Sequence, residues 1–128
     1  MRLQESMDVL IVTGEDELAS LWGRHLERSG ATVRHAVTQE VAISALDTGP
    51  VDVVILNMTL DGGSAIAVAD YAGYRHPKAK VISVTNDSFF SNGAVFDLLP
   101  NVRAQVANTT PPDDLVAMVE HYGDEGQD

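Results

Sequence analysis

The chain contains no cysteine, which excludes disulfides, a thiolate metal site and a thiol nucleophile. That composition fits a reducing compartment. Basic residues are scarce: 8 Lys and Arg stand against 19 Asp and Glu, a formal net charge of −11. A field of that sign repels phosphate backbones and anionic membranes, so no nucleic acid and no membrane is expected among its partners. Long apolar runs are missing too. Stretches such as Val53–Leu56 within VDVVILN are far too short to span a bilayer, and Met1–Asp8 carries no apolar core of signal-peptide length. Neither G-x-G-x-x-G nor G-x-x-x-x-G-K-[ST] occurs, so the usual phosphate-cradling loops are excluded. Together these absences predict an acidic, cytoplasmic protein.

What is present is ordinary globular material. The 128 residues are 45% apolar and 21% charged, enough for one self-folding domain over 1–128. Its core is expected over about 8–122, with a short N-terminal arm at 1–7 and an acidic, flexible tail at 123–128. Short runs at Asp8–Thr13, Thr32–Ala36, Val51–Asn57, Lys80–Thr85 and Ala104–Ala107 read as strands. The first, third and fourth are nearly continuous in Val, Ile and Leu, the pattern of strands buried on both faces. The second and fifth are weaker and suit positions nearer an edge.

Helical spacing fills the intervals. Asp16–Ser29 places Leu18, Leu21, Trp22, His25 and Leu26 on one stripe, closed by Gly30. Thr38 can cap a helix that carries Val41, Ala42, Ala45 and Leu46 and ends at Gly49-Pro50. Ser64–Tyr74 supplies Ile66, Val68, Ala69 and Ala72. Ser91–Leu99 is a poor candidate, weakened by Asn92-Gly93 and ended by Pro100. Pro111-Pro112-Asp113-Asp114 opens a last helix through Leu115, Val116, Met118 and Val119. A β-α unit repeated in this way predicts a parallel sheet between helices, with any ligand beyond the carboxyl ends of the strands. The loops to inspect are therefore Thr13–Asp16, Asn57–Gly63, Thr85–Ser88 and Ala107–Thr110.

With these units and loops, the sequence from Asp8 to about Tyr122 resembles the receiver domain of bacterial response regulators. The resemblance implies a flavodoxin-like (βα)5 three-layer α/β sandwich whose five-stranded parallel sheet has the order 2-1-3-4-5. It also implies Mg²⁺-assisted phosphoryl transfer from a histidine kinase to an aspartate. That chemistry uses an acidic pair after the first strand, an acceptor aspartate ending the third, a Ser or Thr ending the fourth and a lysine after the fifth. Carboxylates hold the hard cation, and cation and lysine neutralise the phosphoryl oxygens.

At those positions the chain departs from the family. VLIV-TG-E stands where the family has VLIV-DD-E, which puts Thr13 and Gly14 at the acidic pair. VDVVILNMTLDGGSA resembles DLVLLDxxLPDGSG, with Asn57 at the acceptor and Asp61 where proline usually follows. Thr85 matches the switch hydroxyl. QVANTTPPDDL resembles YLTKPFDPEEL, with Asn108 at the lysine and Gln105 at the switch aromatic. An amide has no anionic oxygen to attack phosphorus, and Thr-Gly offers a cation no carboxylate. The resemblance is thus to a degenerate receiver, a pseudo-receiver, with no catalytic residue, no metal and no cofactor.

Two readings of Asn57 stay open. Its amide has a working role, mimicking a neutralised aspartate or bonding Thr85 and Thr13 to lock one conformation, or it simply fills a disused pocket. Glu15, Asp16 and Glu17 read as N-cap and first-turn acids favoured by the helix dipole, with Mg²⁺ binding by Glu15 or Asp16 the lesser alternative. Asp61 reads as a turn residue. His25, His35, His76 and His121 show no ligand-like spacing.

Receivers commonly use the surface around their fourth helix and fifth strand to meet partners, which singles out Phe89, Phe90, Phe96 and Gln105. The expected function is phosphorylation-independent protein–protein interaction in signal transduction. The partner would be a kinase, a phosphotransfer protein, a regulator or a second copy in a homodimer. The alternative is a small-ligand sensor using the vacated pocket of Thr13, Asn57, Thr85 and Asn108. A flavin protein is disfavoured, because Glu15-Asp16-Glu17 would stand where a phosphate must sit.

Overall fold

A computed structural model describes residues 7–60, 62–85 and 100–125 of the chain. The expected weak helix Ser91–Leu99, with Phe89, Phe90 and Phe96, lies outside the described residues, as do Asp61 and the ends at 1–6 and 126–128. The elements run β1 Asp8–Val12, α1 Asp16–Arg28, β2 Thr32–Ala36, α2 Gln39–Thr48, β3 Val53–Asn57, α3 Ala65–Arg75, β4 Lys80–Thr85, β5 Val102–Ala107 and α4 Pro112–Glu125. All strand pairs are parallel, in the order β2-β1-β3-β4-β5. This is the expected flavodoxin-like sandwich, with the two weaker strands at the edges.

Period-two alternation sorts the side chains of the inner strands between two helical layers. Leu10, Val12, Val54, Leu56 and Val81 face α2 and α3, where Ala42, Leu46, Val68, Ala69 and Ala72 meet them. Val9, Ile11, Val53, Ile55, Ile82 and Val84 face α1 and α4, against Ala19, Trp22, Leu26, Leu115 and Val119. Trp22, 1% exposed, is a core residue, and its indole N–H donates to the Thr110 carbonyl at 3.3 Å, tying α1 to the loop before α4.

The helix ends follow local chemistry. Gly30, at φ 104°, lets the chain close α1: its N–H donates to the Glu27 carbonyl and that of Ala31 to Leu26. Thr38 caps α2 by accepting from the Val41 N–H at 3.2 Å, and Ser64 caps α3 by accepting from Ala67 at 3.1 Å.

The expected boundaries need correction at both ends. Met7, assigned to the arm, is buried, and its carbonyl accepts from the Thr32 N–H at 2.8 Å. Gly123, assigned to the flexible tail, is buried inside α4, which runs on to Glu125. A Cβ at Gly123 would strike Met7, so the two corrections share one cause: these residues pack on each other. β5 also begins earlier than expected, at Val102, because polar Arg103 breaks the apolar pattern.

Candidate functional site

The carboxyl ends of β1 and β3 bring the candidate residues together. Thr13 follows β1 and keeps to its path, its N–H donating to the Ala36 carbonyl at 3.0 Å. Its own carbonyl accepts from His35 Nε2 at 2.8 Å. Asn57 ends β3. Both are 2% exposed, so their polar groups require partners.

They find them in each other and in Glu15. Asn57 Nδ2 donates to Thr13 Oγ1 at 3.0 Å and to Glu15 Oε2 at 2.7 Å. Those two bonds use both amide protons. Asn57 Oδ1 accepts from the Thr59 N–H at 2.9 Å, an Asx turn that sets the course of the loop after β3. Thr13 Oγ1 accepts a second time, from the Glu15 N–H at 3.0 Å. The amide therefore staples the loop before α1 to the loop before α3. An aspartate here would lack the donors.

Glu15 takes the expected place at the start of α1, at the N-cap in extended backbone, φ −90° and ψ 94°, but its side chain does not cap the helix. The carboxylate turns inward to Asn57 instead. Glutamate is a poor N-cap, and that mismatch was the signal available in the sequence. Asp16 and Glu17 do occupy the first turn of α1, as expected.

The other candidates stand nearby. Thr85, 8% exposed, ends β4, and its carbonyl accepts from the Asn108 N–H at 3.0 Å. Of the two bonds considered for Asn57, the one to Thr13 is made and the one to Thr85 is not; both amide protons go to Thr13 and Glu15. Gly14 is exposed, with open space where a Cβ would be. Gln105 is half-buried on β5, and its Nε2 is buried without a hydrogen-bond partner among the described residues. His25 and His76 each donate to a backbone carbonyl, of Leu21 at 3.0 Å and Leu46 at 2.7 Å.

This donor set does not fit Mg²⁺. A hard cation needs several oxygen ligands, carboxylates above all. Among the described residues, the carboxylate in contact with Asn57 is that of Glu15, already accepting a hydrogen bond. Among the described residues no group of three or more His, Cys, Asp or Glu could hold a metal ion.

The backbone matches known structures closely. A CheY-like response regulator receiver domain protein from Methanospirillum hungatei superposes with a TM-score of 0.86 at 20% identity, covering 96% of this chain and 98% of that one. The fold is that of a receiver domain. The receiver domain of an HD domain-containing protein from Pseudomonas fluorescens gives a TM-score of 0.86 at 14% identity, over 98% and 92% of the two chains. A Thermotoga maritima response regulator, solved in complex with Mg²⁺-BeF, gives 0.78 at 23% identity, over 91% and 98%. No family model and no curated protein sequence matches the chain. At these identities the receiver likeness is one of fold. Among the described residues, no helix is long and apolar enough to cross a membrane.

Proposed function

We propose that this receiver-fold chain is a degenerate receiver, a pseudo-receiver, acting in two-component-type signal transduction in the bacterial cytoplasm through phosphorylation-independent protein–protein contacts. The observation that carries the reading is the Asn57 amide, held at the acceptor position by Thr13 and Glu15. It supplies no nucleophile, and it joins the two loops that a cation and phosphoryl group would otherwise bridge. Thr13, Gly14, Asn57, Thr85 and Asn108 are then the remnants of a phosphorylation site. The chain carries no catalytic residue and needs no cofactor. Its partner is a kinase, phosphotransfer protein or regulator, or a second copy, met through the surface that includes Phe89, Phe90, Phe96 and Gln105. Ligand sensing through the same pocket has less support, since its central amide is already satisfied.

Incubation with acetyl phosphate and Mg²⁺ followed by intact-mass measurement tests the reading. The wild-type chain is expected to gain no phosphoryl group, and its set of partners captured from lysate to be unchanged by the treatment. A stoichiometric phosphoryl adduct, or partners that appear only after treatment, would overturn it.

A further inference from the structure

At the opposite end of the sheet, where β4 and β5 begin, a cavity of about 500 Å³ opens between α3 and the strands. We propose that it binds a nucleoside monophosphate. The volume falls within the range of small-molecule pockets. Its walls carry three kinds of group that such a ligand requires: the ring of Tyr74, the cations Lys80 and Arg103, and the carboxylate of Asp70.

The cations are placed there against the average of the molecule. The chain has 8 basic residues and a net charge of −11, yet Arg75, Lys78, Lys80 and Arg103 all lie about this end of α3, β4 and β5. Arg75 is engaged by Asp47 at 2.9 Å. Neither Lys80 nor Arg103 is ion-paired among the described residues; Lys80 Nζ donates only to the Lys78 carbonyl at 3.1 Å. Two positive charges match a phosphomonoester, which carries about −1.5 to −2 at neutral pH.

Arg103 owes its place to a backbone irregularity. Val81 pairs with Val102 and Ile82 with Ala104, so Arg103 is an extra residue on β5 without a partner on β4. Bulges of this kind re-aim a side chain at sheet edges and beside binding sites. Asn101 forms the facing wall, fixed by a bond from its Nδ2 to the Ala69 carbonyl at 3.1 Å. It can approach α3 because residue 73 is glycine; a Cβ there would come within 3.2 Å of that Nδ2.

Tyr74 is 77% exposed, an uncommon expenditure of aromatic surface. Its ring centroid lies 6.0 Å from that of Tyr71, which steadies it. A flat heterocycle can stack on the free face, with Asp70 accepting from sugar hydroxyls and the phosphate reaching Lys80 and Arg103. No residue of the Asn57 cluster takes part.

Titration of ¹⁵N-labelled protein with AMP, adenosine and inorganic phosphate separately tests the proposal. AMP is expected to shift the amides of Gly73, Lys80 and Arg103 saturably and to bind more tightly than either fragment. Tyr74→Ala and Arg103→Ala, with spectra otherwise unchanged, are each expected to weaken AMP about tenfold. Absence of saturable shifts at millimolar AMP would overturn the proposal. So would phosphate binding as tightly as AMP, or unaltered AMP affinity in both variants.

Discussion

The two ends of the sheet manage polar groups in opposite ways. At the carboxyl end, Asn57, Thr13 and Glu15 are drawn from separate loops and satisfy one another. At the amino end, Lys80 and Arg103 line an open cavity beside an exposed tyrosine. The first arrangement resists change, since altering one member strands the others in a buried site. The second tolerates change, since solvent already covers most of it. At the carboxyl ends of β1 and β3 the chain's own side chains satisfy one another, whereas among the described residues Lys80 and Arg103 have no ion-pair partner.

Asn57→Asp breaks this contrast most severely. It removes both donors and sets a second carboxylate against Glu15, with an expected loss of about 2–4 kcal/mol by urea denaturation. The same variant places two carboxylates where a hard cation can bridge them, so millimolar Mg²⁺ or Ca²⁺ should recover part of the loss, with no such effect on the wild type. Glu15→Ala comes next, at about 1–2 kcal/mol, because one amide proton loses its acceptor. Glu15→Gln should cost less, keeping the acceptor but not its charge.

Smaller effects appear as opposite pH dependences at two aspartates. Hydrogen bonds from Tyr71 at 2.6 Å and Arg75 at 2.9 Å hold the Asp47 carboxyl below its ordinary value. Its contribution is present above the unfolded-state carboxylate range and is lost as pH falls through the folded value. Asp47→Asn should therefore lower the urea midpoint near neutrality and change it little at about pH 3. Asp8 is shifted upward by burial first and then by Asp52, against a smaller opposing pull from Arg34. Its favourable contribution exists below the unfolded value and disappears as pH rises through the folded one. Asp8→Asn should accordingly raise the midpoint near neutrality, with the gain vanishing in acid. The smallest change is expected at the amino end, where Tyr74→Ala and Arg103→Ala should each stay within about 0.5 kcal/mol of the wild type.

Most of the fold was legible in the sequence. Continuous Val, Ile and Leu in β1, β3 and β4 marked the inner strands, while polar Arg34 and Gln105 marked the outer ones. Thr38 and Gly30 announced helix ends by chemistry that acts within a few residues. That uncharged Thr13, Gly14, Asn57 and Asn108 stand in the loops after β1, β3 and β5 was equally legible, being a matter of identity. The bulge at Arg103 was not, because register depends on the neighbouring strand. Nor were the buried Met7 and Gly123, each of which owes its order to the other end of the chain.

Residue identity alone determined that position 57 presents an amide, with two protons to donate and no charge to offer. It also determined that the chain would form a parallel sheet with edge and centre already assigned. Only the tertiary structure decided where those two protons go. Thr13 and Glu15 stand 44 and 42 residues from Asn57, and no local rule pairs groups so far apart. Parallel crossovers bring the loops after β1 and β3 side by side, and burial of the amide then demands acceptors from whatever the fold has placed within reach.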